Sequence, residues 1–334
     1  MANSRAPDLI SDFRQLPTPT GDSPANRFTA IPLPGYPSHR LGKDSHGYPS
    51  FLVSAQRDMP PGPPISLQHL SVQYDADCLL TEVGGQTSRR RFSVLRCIEG
   101  DSALDEYFIR VGSTIVALLG DNPTQEELQS AMQRLVDLFR ALDVPPRHSI
   151  QGLWGELFLV SRARNLRLAL QAWHAFPEDR YDFSHVNQRL EVKTTATQER
   201  THHFSLGQLV PVAGVTIVIA SMFVQRAGNG TSVTELVNDF RNRIADDLNL
   251  LARIDQLVSF TLGDGWRTAS EDRFDLHVAQ TSLAFYEASS VPKPDPIVPP
   301  EVTDVHFRSN LSTASPISPA SLRELGGLFA AVAP

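Results

Sequence analysis

Three side chains near the middle of the chain could do chemistry together: Asp182, Glu191 and Lys193. Glu191 and Lys193 flank Val192 in the run Leu190-Glu-Val-Lys-Thr-Thr195. On an extended strand, side chains two positions apart share a face, so the acid and the amine point the same way while Val192 packs behind them. A hairpin turn across residues 184–189 would return Asp182 to the same end of that strand. This set of groups suits phosphodiester hydrolysis. Mg²⁺ prefers one or two carboxylates with waters completing its shell. Asp182 and Glu191 would supply the carboxylates, with the Val192 carbonyl as a further ligand, and Mn²⁺ is the alternative ion. Such a cation polarises a phosphate and acidifies bound water. Lys193, a compact charge with movable donors, would orient the attacking water and offset developing negative charge. Taken alone, Glu-x-Lys on a strand is more often an exposed ion pair of small energetic worth.

The elements around this set must position it. Residues 150–164 read as a strongly apolar helix containing Leu153, Trp154, Leu157, Phe158 and Val160, with Glu156 in its body. A carboxylate there is costly unless paired or metal-bound, and the bland alternatives are solvent exposure or a capping bond. Gly152 and Gly155 each weaken a helix interior by about 1 kcal/mol relative to alanine. Close approach of the helix to a sheet or to DNA would explain them, and so would an irregular helix start. Residues 190–195 read as a short strand, 202–206 as another, and 215–224 as a strand buried on both faces. Gly228-Asn-Gly230 reads as a turn. Ser232 or Thr234 would cap a helix running to about residue 251. Residues 282–288 look like a strand, the five prolines of 291–300 mark a loop, and 319–332 reads as a terminal helix.

Ahead of this region the pattern differs. Residues 1–65 are rich in Pro, Gly and Ser and read as an irregular, strand-containing start. Strand-like runs follow at 65–80 and 92–98, with Gly84-Gly85 as the turn between them. Residues 103–119 and 124–142 have helical spacing, the second capped by Thr124. Pro145-Pro146 breaks the chain. The expected organisation is an N-terminal β-rich α+β domain (1–146) serving target recognition or subunit contact, an α/β core with a mixed central sheet flanked by helices (147–290), and a proline-rich extension with a terminal helix (291–334).

Composition narrows the function. The chain has 334 residues and a formal net charge of −7, which weighs mildly against a large non-specific DNA-wrapping surface. Cys78 and Cys97 suit neither a zinc site nor a disulfide framework and read as buried thiols in a reducing compartment. The first residues lack a signal-peptide layout, and the apolar stretch 209–224 is too short and too interrupted to span a bilayer. A soluble cytoplasmic protein is expected. The chain has neither a phosphate-binding Gly-x-x-x-x-Gly-Lys loop nor a Gly-x-Ser-x-Gly elbow, so ATP use and an α/β-hydrolase mechanism are not expected.

Several motifs in order carry a family resemblance: Gly152-Leu-Trp-Gly-Glu156-Leu, Trp173, Asp182-Phe183, Leu190-Glu-Val-Lys-Thr-Thr195, His203-Phe-Ser205 and Gln208-Leu209. Over roughly residues 148–255 the chain resembles a bacterial PD-(D/E)XK family whose genes tend to occur in restriction and phage-defence neighbourhoods. The resemblance implies a restriction-endonuclease-like core and a Mg²⁺-dependent endonuclease acting on DNA, as a homodimer or with partner subunits. It gives Glu156 a place beside the metal. Tyr181 stands where the superfamily's name has proline, a position that varies widely. His203 is a candidate phosphate or base contact, and Gln208 a candidate contact to the substrate backbone or a prop for the lysine. Arg89, Arg90 and Arg91 are candidate phosphate contacts, with Arg162, Arg164 and Arg167 behind them; His202 and His174 read as structural. The alternative is an inactive nuclease-fold subunit that binds DNA or scaffolds a defence complex. A two-carboxylate glycosidase is weaker, since it has no need of Lys193.

Overall fold

Runs of consecutive buried residues, as at 28–30 and 49–53, mark the N-terminal strands. The computed structural model describes residues 6–20, 26–82, 84–98, 102–146, 149–174, 179–294, 299 and 302–334, and it divides into two compact units. The first comprises Met1–Val144 with Ala245–Gln256. It holds α1 (Ala6–Gln15), β1 (Arg27–Leu33), β2 (Tyr36–Asp44), β3 (Pro49–Val53), β4 (Ile65–Ser66), β5 (Leu70–Glu82), β6 (Thr87–Cys97), α2 (Ser102–Leu119) and α3 (Gln125–Ala141). The strand order is β1-β2-β3-β6-β5, and β1 also pairs in parallel with β5, so five strands form a ring, with β4 added on β5. Phe28, Ala30, Leu52, Ala76, Cys78, Leu80, Phe92 and Val94 form one buried cluster of these strands. Helix α2 comes very close to β3: a Cβ on Gly112 would lie 2.3 Å from the Phe51 ring. The Thr124 capping box forms as its sequence suggests. Helix α1 falls where an irregular start is expected; its buried Leu9 and Phe13 show that packing, not local composition, decided it.

The second unit comprises Pro145–Ile244 and Leu257–Pro334. Its elements are α4 (Ile150–Ser161), α5 (Leu166–Ala172), β7 (Phe183–His185), β8 (Gln188–Thr195), β9 (Thr201–Ser205), α6 (Leu206–Leu209), β10 (Thr216–Phe223), β11 (Arg226–Ser232) and α7 (Val233–Arg243). Helix α8 (Leu248–Leu262) begins in the first unit and ends in the second, where β12 (Arg273–Phe274), α9 (Leu276–Ser282), β13 (Ala284–Glu287), β14 (His306–Asn310), α10 (Pro319–Glu324) and α11 (Gly327–Val332) follow. The central sheet runs β13-β10-β8-β7. The β8–β10 pair is parallel and the other two pairs are antiparallel, so the sheet is mixed. Helix α4 lies against the Val192/Thr194 face of β8. A Cβ on Gly155 would stand 2.3 Å from Thr194 Cγ2, so close helix–sheet approach explains that glycine. Gly152 sits in the first turn, its N–H bonded to the capping Ser149 hydroxyl.

Three expectations are corrected. Gly228-Asn-Gly230 is not a turn but lies within β11, where the ladder with β12 shifts register and a Cβ on Gly230 would meet the Phe274 backbone at 2.4 Å. The helix expected from 232 to about 251 ends at Arg243, and a new helix begins at Leu248, the Asp247 carboxylate accepting from Leu250 N–H. The terminal helix is divided at Gly326-Gly327, both at positive φ. Among the described residues, no helix is long and apolar enough to cross a membrane.

Candidate functional site

The β7–β8 hairpin turns through Val186-Asn187, with Val186 at a positive φ of 49°. Phe183 pairs with Leu190 and Ser184 with Arg189. Extending that register by one position sets Asp182 across from Glu191, and directly opposed residues share a face. Asp182 Oδ2 accepts the Val192 N–H at 2.6 Å. The N–H and C=O of one strand residue point to the same edge, so the Val192 carbonyl faces the Asp182 side too. Lys193 Nζ lies 2.7 Å from Glu191 Oε1 and 5.3 Å from the centre of the Phe204 ring on β9. Asp182, Glu191 and Lys193 therefore come together as their spacing suggests.

Gln208 completes this arrangement in a way the sequence did not reveal. Its Nε2 donates to Glu191 Oε1 at 2.6 Å, and its Oε1 accepts the Ser205 N–H that starts α6. It holds the acid rather than the lysine. Two donors therefore share Glu191 Oε1, whereas among the described residues no donor lies within hydrogen-bond distance of the buried Glu191 Oε2; the Asp182 backbone N–H also bears on this carboxylate and lowers its pKa. A buried carboxylate oxygen without a donor is energetically costly, and it is where a cation would be stabilising.

The electrostatics agree. Removal from water, then Glu191 and Glu156 in turn, push the Asp182 carboxyl well above the ordinary carboxylate range. Burial also raises Glu191, against the pull of Lys193. Burial alone would depress Lys193, but Glu191, Asp182 and Glu156 more than compensate and leave its amine raised. A divalent cation would relieve this excess of negative charge. Among the described residues, no group of three or more His, Cys, Asp or Glu side chains is arranged to hold a metal ion. The acidic side chains brought together beside Lys193 are the two carboxylates Asp182 and Glu191.

Glu156 is buried in α4 at 4% exposure, and its Oε2 accepts the Trp173 indole N–H at 2.8 Å and lies 3.3 Å from His174 Nε2. His174, which reads as structural in the sequence, lies against this acid. The signal was present in the apolar helix interrupted by one acid, but its partners lie beyond the next helix. His202 is buried, its Nε2 2.8 Å from Ser221 Oγ, which Arg200 also contacts. Burial, Lys193 and Arg200 lower its pKa to about 4, so it is neutral at physiological pH. His203, next along β9, is exposed and pairs with Arg308 of β14; strand alternation turns it away from the Phe204 face beside Lys193. Arg89, Arg90 and Arg91 lie on β6 of the first unit with exposed side chains, Arg91 paired to Asp75 at 3.1 Å. Arg164 donates to the Ala333 and Pro334 carbonyls after α11.

A protein-family model described as "Putative PD-(D/E)XK family member, (DUF4420)" matches the chain over residues 9–312. No curated protein and no solved structure matches it.

Proposed function

Because the chain belongs to the family described as "Putative PD-(D/E)XK family member", we propose that it is a divalent-metal-dependent endonuclease that hydrolyses DNA phosphodiester bonds in bacterial restriction or phage defence. The observation that carries this reading is the buried Glu191 Oε2, without a hydrogen-bond donor in reach among the described residues, beside Asp182, with Lys193 on the other oxygen of the same carboxylate. In this reading the second unit is a restriction-endonuclease-like core. The first unit serves target recognition or subunit contact, with Arg89, Arg90 and Arg91 as phosphate contacts.

Asp182 and Glu191 Oε2, with the Val192 carbonyl, would hold Mg²⁺ or Mn²⁺. The bound ion would supply Lewis acidity toward a phosphate oxygen and acidify water. Lys193 keeps its proton because three acids surround it, and so presents N–H donors and a positive charge to the phosphate. Gln208 fixes Glu191 so that Oε1 stays with the lysine and Oε2 faces the cation. Asp182 is held by a backbone N–H rather than by a mobile side chain, which pre-organises the pair.

The test is cleavage of plasmid and phage DNA of varied methylation, with Mg²⁺ or with EDTA. Wild type should cut only with the ion, and Lys193→Ala and Asp182→Ala should cut far more weakly than wild type. Equal background from all three proteins under every condition contradicts the reading. A second reading, an inactive nuclease-fold subunit that binds DNA or a partner, is favoured by the net charge of −7. It requires DNA or partner binding indifferent to Mg²⁺, and defence activity that survives Lys193→Ala.

A further inference from the structure

Asp182 stands just before β7 and Glu156 lies in α4, and one dipeptide touches both. The Trp173 side chain donates to Glu156 Oε2, and His174 Nε2 lies against the same oxygen. The backbone of the same dipeptide pairs with the strand entry. Trp173 bridges Phe183, and the His174 N–H donates to the Asp182 carbonyl at 2.7 Å. Trp173 and His174 are buried and their rings stand edge to face, 5.3 Å apart, so the connection is stiff. An acid inside an apolar helix would otherwise be free to turn its oxygens toward whichever donor came near.

We infer that Trp173 and His174 form a positioning clamp that ties the Glu156 carboxylate to the backbone of Asp182 and so fixes the separation of the two acids. This rests on the proposed cation site and assigns two residues to its support. Neither touches the reacting phosphate; both act through Glu156 and Asp182. Partners of this kind commonly change metal affinity about 10- to 100-fold when removed. Because the clamp acts through hydrogen-bond geometry, a side chain that reproduces the donor should restore it, and one of similar polarity that cannot reach should not.

The test is Mg²⁺ binding to the full chain without DNA, by titration calorimetry, with thermal melting as the check on folding. Trp173→Phe keeps an aromatic body but removes the donor, and should weaken Mg²⁺ binding about 10- to 100-fold. His174→Gln, whose amide can stand near the Nε2 position, should bind as wild type does; His174→Asn, which falls short, should bind more weakly. If Trp173→Phe does not fold, the two His174 variants decide. In a Glu156→Gln background the additional effect of Trp173→Phe should shrink, because both changes act through one contact. Folded Trp173→Phe and His174→Asn proteins that bind Mg²⁺ as tightly as wild type, while Asp182→Asn does not, overturn the clamp and leave the cation site standing. A wild-type chain that takes up no Mg²⁺ overturns both.

Discussion

The two units bury polar groups in opposite ways. In the first, the strand ring surrounds an apolar cluster in which Cys78 is fully buried, its thiol pushed up to about 12 chiefly by loss of water. The raised value keeps the thiol protonated and unreactive. In the second, one end of a mixed sheet gathers Asp182, Glu191 and Lys193, with Glu156 close enough to raise Asp182. Burial is the first cause of the raised values in both places; at Cys78 one neighbouring acid, Asp77, adds to it, whereas at Asp182 two further acids, Glu191 and Glu156, do so.

Substitutions sharpen that contrast. The largest effect is expected at Lys193: Lys193→Ala should lower Mg²⁺-dependent cleavage roughly 10²- to 10³-fold, the usual cost of removing one preorganised charge-stabilising donor. Single-turnover kinetics check it. Next is Gly155→Ala, whose added methyl meets Thr194 and should destabilise by about 1–3 kcal/mol in urea unfolding.

Asp182→Asn should separate function from stability by weakening cleavage while raising the melting temperature at pH 7. The native carboxyl has a raised pKa, so the fold binds more protons than the unfolded chain. Its stabilising contribution is complete below the ordinary carboxylate range and is lost as pH rises through the raised value. The advantage of the asparagine variant should therefore close as pH falls. His202 has the opposite sign. Its pKa is depressed to about 4, so stability present above 6.5 is lost as pH falls toward 4, and His202→Gln should flatten melting temperature across that window. The smallest effect belongs to the first unit. A thiol reagent should leave Cys78 and Cys97 unmodified until the protein unfolds, and Cys78→Ala should not alter cleavage.

Much of the second unit was legible because its signals are local. Period-two alternation gave β8, a short turn gave the hairpin, and face-sharing put Glu191 beside Lys193. What could not be read depends on distant partners. Gln208 meets Glu191 only because α6 follows β9 back over the sheet. Strand β9 finds its partner in β14, about a hundred residues later, and not in the central sheet. Glu156 could be singled out as an acid in an apolar helix, but the indole and imidazole that hold it follow a second helix. The glycines of 228–230 misled because flexibility serves a register shift as well as a turn.

The account is tested most directly by anomalous diffraction from crystals grown with Mn²⁺. It predicts a peak within coordination distance of Glu191 Oε2 and an Asp182 carboxylate oxygen, with Lys193 still on Glu191 Oε1. Saturating Mn²⁺ that leaves no peak between those two acids would contradict it.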